Sequence, residues 1–293
     1  MTSKKNRPLK YALVAAIGVM ASGAPMMAAS LDDIQKAGTI RIAVANEIPY
    51  GFVDPMGNAK GAGPEVASHI MEQLGIDKIE WVATDFSSLI PGLQAGRFDM
   101  VAAEMAILPQ RCESALFSEP NSSYGEGLLV LKDNPKDIHA YSDFADRDDL
   151  KVAIMAGADQ LEMMQELGVP ENRIVTLSAN ADAVSNVQTG RADAYAATSL
   201  TAADLAGKSK GLEVVEDFTD PVIDGQTVRS WGGFDFAKGS EDLSDAVNAE
   251  LAEYKKTDEW GEILKSYGFS DTDLSESTDR TTEELCAADA DAG

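Results

Sequence analysis

Two stretches of this chain repeat one another. QAGRFDMVAAEMA at 94–106 is echoed by QTGRADAYAATSL at 188–200. Each reads as the end of a helix, a glycine stop, an Arg and an Asp, then a short buried strand and a loop. The first copy has the fuller lead-in. Phe86 opens it, Leu89, Ile90 and Leu93 give a helical apolar period, and Pro91 fits a first helical turn, where a missing N–H does no harm. The strand is predicted over 98–103, and a polar loop after it ends on Arg111. Two such units predict two similar α/β lobes with facing loops. Loops beyond the carboxyl ends of parallel strands are where such folds take ligands.

The length, 293 residues, suits two domains of ordinary size. Strands predicted at 39–45 and 79–84 flank a helix at 64–74 with Val66, Ile70 and Leu74 on one face, which reads as a βαβ unit. Further strands are expected at 127–131, 151–155 and 174–177, with helices at 160–167 and 182–189. A strand at 231–236 returns toward the first lobe, and helices at 243–256 and 260–267 follow. The expected division is residues 30–122 and 231–270 for one lobe and 123–230 for the other. Residues 271–293 read as an acidic, Ser/Thr-rich tail, poorly ordered except near Cys286.

The formal charge is −25, from 24 basic and 49 acidic residues. That argues against nucleic acid and against an anionic membrane surface as main partners, and it fits a strongly solvated surface. Lys4, Lys5, Arg7 and Lys10 precede an apolar run from Tyr11 to Ala21, and small residues follow near Ala28–Ser30. This pattern predicts a secretory signal over residues 1–29 and a periplasmic location. The run is too short for a membrane span. Cys112 and Cys286 make an even count, which in an exported chain favours a disulfide over two separate thiols.

No metal-ligand spacing, nucleophile elbow, phosphate loop or dinucleotide fingerprint is present, so neither a cofactor nor a catalytic residue is expected. GAGPEV at 61–66 lacks the preceding strand and the downstream acid of a dinucleotide site and reads as a turn. What remains lies at strand ends. Glu47, Tyr50, Phe86, Glu104 and Arg111 belong to the first lobe. Gly157, Asp159, Thr198 and Ser199 belong to the second, and Trp231 to the crossing. Together they describe a pocket for a small zwitterion. Arg111 would grip a carboxylate with two prongs, assisted by helix amides near Gly157. Acids and aromatic faces would hold a cation. Plainer readings stand beside these: Arg111 as a surface ion-pair partner, Tyr50 and Phe86 as core, Asp159 as a helix cap.

RIAVANEIPYGFVDPMGNAKGAGPEVASHIMEQLG, LIPGLQAGRFDMVAAEMAILPQRC, SEPN, VAIMAGADQ, GVPENRI and QTGRADAYA, with the closing FAKGSEDLSDAVNAELAEYKKTDEWGEILKSYGFS, cover most of residues 31–270. As a set they resemble the amino-acid type of periplasmic solute-binding protein that serves an ABC importer. Within that family, ANEIPY, IPGLQAGR, LPQRC and the late Cys of TTEELC are most similar to the ectoine/hydroxyectoine-binding branch. The resemblance implies a type II two-lobe α/β fold, each lobe a central sheet flanked by helices, with the ligand in the interlobe cleft. It implies a monomer that delivers a small zwitterionic ligand to membrane permease subunits. It places ligand contacts on Glu47, Tyr50, Phe86, Arg111, Gly157 and Asp159. The sequence departs from that branch at Ala106, where a third cage aromatic is expected, at Glu104, where Gly is expected, and at Asp159, where Thr is expected. Thr198 stands where amino-acid binders commonly carry an Asp. These departures disfavour a plain α-amino acid and point to a more cationic relative of ectoine. Rival readings are a binder of polar or cationic amino acids, and a dehydratase-type enzyme with Glu104 as general acid.

Overall fold

The computed structural model describes residues 30–223 and 225–287. The expected signal segment lies outside the described residues. In chain order the main strands are β1 (Thr39–Val44), β2 (Lys78–Ala83), β3 (Met100–Ala106), β4 (Leu116–Phe117) and β5 (Ser122–Tyr124). They continue with β6 (Glu126–Leu131), β7 (Val152–Met155), β8 (Ile174–Leu177), β9 (Ala194–Thr198), β10 (Leu212–Val214) and β11 (Ser230–Phe236). One sheet has the order β2-β1-β3-β11-β4, with β5 also paired to β11. The other has the order β8-β7-β9-β6-β10. In each, the first three strands run parallel and the fourth antiparallel. The two sheets are therefore two versions of one plan, as the sequence echo predicts.

The echo has a physical cause. Asp99 Oδ2 accepts from the backbone N–H of Arg41 at 2.9 Å, and Asp193 Oδ2 accepts from that of Lys151 at 2.8 Å. The backbone N–H of each Asp returns a bond to the carbonyl of the same partner, at 2.9 and 2.7 Å. Each Asp thus pins the loop ahead of its own strand to the neighbouring parallel strand. Gly96 at φ 61° and Gly190 at φ 68° end the preceding helices, Leu89–Gln94 and Ala181–Gln188, in the left-handed conformation that glycine adopts without strain.

Strand β3 starts and ends later than the predicted 98–103. The Arg97 N–H still closes the helix turn onto Gly92 O, and pairing with β11 continues as far as Ala106 opposite Gly232. Glu104 therefore lies inside the strand, not after it. The predicted loop up to Arg111 contains a short helix, Pro109–Cys112.

The chain leaves the first sheet after β5 and enters the second at β6 with only Gly125 between them, and it returns before β11. Apolar residues of helix Ala62–Gln73, with β1 and β11, pack one face of the first sheet around Ile42, Val66, Ile70 and Phe234. Tyr195, Leu129 and Val187 centre a cluster on the second sheet. A further cluster is continuous across both lobes, joining Phe86, Leu89 and Met105 to Leu128, Ile154 and Met163.

The tail is not poorly ordered through Ala287. It forms helices Asp271–Glu276 and Thr282–Ala287. Ser270 and Asp273 make a capping box, and Asp273 pairs with Arg229. Trp231 Nε1 donates to Glu276 O at 2.9 Å, and Lys255 Nζ donates to Ser277 O at 2.9 Å. Cys112 and Cys286 form a disulfide. These specific partners outweigh the disorder that the composition suggests. The tail also reaches both crossings: Ser123 Oγ on β5 donates to Asp273 O, and Arg229, just before β11, donates to Ser123 Oγ.

The bridge closes a loop with a sequence separation of 174 residues. Cys286→Ser is expected to destabilise the fold by about 2–5 kcal/mol, the usual range for removing a native disulfide. Thermal unfolding with and without reductant checks this: reductant should lower the wild-type midpoint and leave the variant's in place.

Candidate functional site

The carboxyl ends of the parallel strands meet between the lobes and enclose a cleft of about 300 Å³. Its polar wall is Glu47, Tyr50, Glu104, Tyr124, Asp159, Gln160 and Thr198, and its apolar wall is Phe86, Ala103, Ala106, Met155 and Ala158.

Glu47 stands where the chain leaves β1. Its backbone bridges to Gly51, closing a tight loop. Thr201 Oγ1, from the other lobe, donates to Glu47 Oε1 at 2.9 Å. Burial is the main reason the Glu47 carboxyl is pushed up to about 7; Thr201 opposes the shift and nearby Asp159 adds to it. Tyr50 packs edge-on against Tyr124 and Phe269, with ring centroids 5.0 and 5.7 Å away. Its hydroxyl is buried and has no hydrogen-bond partner. Phe86 is buried at the start of its helix.

Glu104 is 2% exposed and sits at φ 51°, a left-handed conformation inside a strand. Asn121 Nδ2 donates to its Oε1 at 2.6 Å and Ser122 Oγ donates to its Oε2. Burial raises its pKa, and these two donors hold it down in part. Asp159 opens the helix Gln160–Glu166 but its side chain does not cap it. The carboxylate instead accepts from Ser230 Oγ at 2.7 Å and lines the cleft. The helix start foreseen as an anion site thus has an acid of the chain beside it, turned toward Ser230. Thr198 caps the helix Ser199–Lys208 by accepting from Thr201 N–H.

Arg111, Gly157 and Trp231 do not line the cleft. Arg111 is buried beside Phe86, 5.7 Å from the ring centroid. Its Nη1 donates to Ala106 O at 2.9 Å and its Nη2 donates across the lobes to Gly157 O at 2.8 Å. Here the guanidinium is an interlobe clasp. A Cβ on Gly157 would lie 3.2 Å from Ser87 Cα, so the backbone here lies close against the turn that carries Phe86. The Trp231 indole turns to the tail, where Arg280 stacks over it.

Tyr124 and Gln160 line the cleft, and neither stands out in the sequence. Tyr124 OH donates to Glu104 O at 2.8 Å. Gln160 Nε2 donates to Glu126 Oε2 at 2.7 Å, and Tyr141 OH donates to the same oxygen at 3.1 Å. Burial and the charge of Asp159 push the Glu126 carboxyl well up. Glu126 carries a sequence signal, a charge opening the apolar run EGLLVL. The ionisable groups of the wall are carboxyls and tyrosines, with no Lys, Arg or His among them. Such a wall binds positive charge.

Residues 40–270 match the family described as bacterial extracellular solute-binding proteins, family 3. A probable amino-acid ABC transporter periplasmic-binding protein of Sinorhizobium fredii (strain NBRC 101917 / NGR234) is 53% identical over 277 residues, 94% of this chain and 92% of that one. Among solved structures, EhuB in complex with hydroxyectoine is 33% identical with a TM-score of 0.80, covering 88% of this chain and 98% of that one. An ancestral amino acid-binding protein, a precursor of cyclohexadienyl dehydratase, is 32% identical with a TM-score of 0.70, covering 81% and 98%.

The Glu47 carboxyl predicts a pH dependence. Folded, it keeps its proton to about pH 7; unfolded, it releases it near 4.5. Between these values the folded state binds more protons, so stability falls as pH rises through the window and levels off above it. The full shift corresponds to about 3 kcal/mol. Glu47→Gln is expected to shrink the fall in the unliganded unfolding free energy between pH 5 and 7.5. Denaturant titrations at both pH values check this; a slope as steep in the variant as in wild type would assign it to other groups.

Proposed function

We propose a ligand class for a chain that belongs to the bacterial extracellular solute-binding proteins, family 3, and is a solute-binding protein of an amino-acid-type ABC transporter. The solute is small and zwitterionic, amino-acid-like or of the ectoine type, and enters with its positive end among Glu47, Glu104 and Asp159. One observation carries this reading: both lobes contribute carboxyls to a single cleft that also presents the rings of Tyr50, Phe86 and Tyr124. A cation between such groups gains charge pairing and aromatic contact together. Thr198 completes the contacts.

In this reading residues 30–122 and 231–270 form one lobe and 123–230 the other, with the tail strapped below the crossings. The lobes hinge on those crossings, and a solute that touches both favours the closed state by its differential affinity. Arg111 and Gly157 add a direct clasp. The chain is exported by residues 1–29, works as a monomer in the periplasm, and presents its solute to the membrane subunits of the importer. The hydroxyectoine complex of a protein 33% identical supports an ectoine-like solute.

A thermal-shift screen against ectoine, hydroxyectoine, glycine betaine and the common amino acids tests the reading. A solute at about 100 times its Kd adds about 2.7 kcal/mol, an easily visible rise in Tm. Stabilisation by succinate or glutarate, which carry no positive centre, would overturn the assignment of a positive end. Mass spectrometry of the same mixtures is expected to show every solute unchanged, which separates a binder from a dehydratase.

Phe86→Ala is expected to weaken the solute found in that screen by about thirtyfold, from a desolvated cation–π contact of about 2 kcal/mol. Calorimetric titration checks this. Unchanged affinity with a lowered Tm would make Phe86 a core residue.

A further inference from the structure

We propose that Glu104 is a second cation subsite, so that the pocket selects a compact solute carrying two cationic nitrogen centres over one carrying a single centre. The inference rests on the cleft being the solute site and adds to it a specificity-determining residue.

Glu104 sits in a slot made for it. A Cβ on Gly63 would come 3.2 Å from its Oε1, and one on Gly232 would come 2.7 Å from its carbonyl oxygen. Two small residues therefore clear space for the side chain and backbone of a glutamate. That backbone stands at φ 51°, which glycine would adopt freely and a glutamate adopts under strain. A strained acid at 2% exposure persists where its surroundings hold it and its position serves a purpose. Its surroundings do hold it: Asn121 donates to one oxygen and Ser122 to the other. Trp260 Nε1 in turn donates to Asn121 Oδ1 at 2.9 Å, which fixes the amide with its donor toward Glu104.

The charge around Glu104 is incomplete. Lys255 acts on it from a distance, but its Nζ donates to Pro120 O and Ser277 O. Arg111, the other buried cation nearby, donates to Ala106 O and Gly157 O and not to Glu104. Each carboxylate oxygen accepts more than one hydrogen bond, so Glu104 keeps acceptor capacity on the cleft. Glu47 and Asp159 form a separate pair, coupled to each other and contributed by opposite lobes. A solute with a single positive centre matches one of these two acidic groups and leaves the other without a counter-charge in a buried cleft, which is costly. A solute with two centres matches both. The Tyr50 hydroxyl, buried and unpartnered on the same wall, offers a further acceptor for an N–H.

The test compares matched probes by calorimetric titration at pH 8, where Glu47 is ionised: L-2,4-diaminobutyrate against L-2-aminobutyrate, and 1,3-diaminopropane against propylamine. Wild-type protein is expected to bind the diamino member of a pair at least about tenfold tighter, the scale of one buried charge contact. Glu104→Gly removes the carboxylate at a backbone position suited to glycine and so keeps the fold, which the unliganded Tm verifies. In that variant the ratio within each pair is expected to fall to near one, and Glu104→Gln should lower it likewise. Ectoine or aminobutyrate binding as tightly as the diamino probes would overturn the second subsite while leaving the solute-binding reading intact. Equal losses for both members of a pair in Glu104→Gly would make Glu104 a structural residue and overturn the proposal. So would a failure of every probe to bind.

Discussion

A carboxyl group withdrawn from water must be neutral or matched by positive charge. The cleft of this protein gathers Glu47, Glu104 and Asp159 under that constraint, with Glu126 directly behind Gln160. Burial raises the Glu47 carboxyl to about 7 and raises Glu104 and Glu126 as well, so each acid here holds a proton more readily than it would in water. A cationic solute can take over the same role. Closure, proton uptake and solute charge are then three expressions of one balance. In the proposed reading the lobes close more readily with a positive solute between them than with the acids desolvated alone. A solute shifts the equilibrium by what it contributes in the closed state, and a neutral molecule of the same size contributes little there.

The scaffold limits how this balance is expressed. One residue, Gly125, separates a strand of the first sheet from a strand of the second, so motion between lobes concentrates there and at the return before β11. The C-terminal helices lie against both places. Asp273 reaches Ser123 on one crossing and Arg229 on the other, and Trp231 just beyond is held by Glu276. The disulfide ties the end of this strap to the short helix that carries Arg111. The residues that bend, the residues that clasp and the tail are thus one connected set, and the family match at 40–270 ends before the strap begins.

Much of the fold was legible because its signals are local. Gly96 and Gly190 announce helix ends, and the repeated Gly-Arg-x-Asp announces a strand start, with the Asp pinning neighbouring strands. Glu47, Tyr50, Phe86, Glu104, Asp159 and Thr198, all singled out from the sequence, share one wall. What was not legible depends on partners distant in the chain. Whether a guanidinium faces a ligand or a carbonyl cannot be read from its neighbours, and Arg111 turns to Gly157. Trp231 and the tail satisfy each other, so the indole leaves the cleft and the tail gains order in a single set of contacts. Tyr124 is hidden because a tyrosine in a short strand looks the same whether its face is core or cavity.

The internal repeat bears on the pocket itself. Aligning the two copies from their first residues, Gln94 and Gln188, places Glu104 of β3 at the position of Thr198 of β9. Both lie on a strand antiparallel-paired to the strand next to a crossing, β11 in one lobe and β6 in the other. Both line the cleft, one from each lobe. Equivalent positions of two similar folding units therefore meet the solute from opposite sides. The two copies have been filled differently: a hydroxyl that caps its own helix in the second lobe, a buried carboxylate under backbone strain in the first. A capping hydroxyl accepts locally and keeps its O–H to donate, which suits an acceptor on the solute and not a cation. A carboxyl held by Asn121 and Ser122 has no helix end to serve and lines the cleft instead. Of the two equivalent positions the first lobe's carries the acid, and in the proposed reading the positive end of a solute lies on that side.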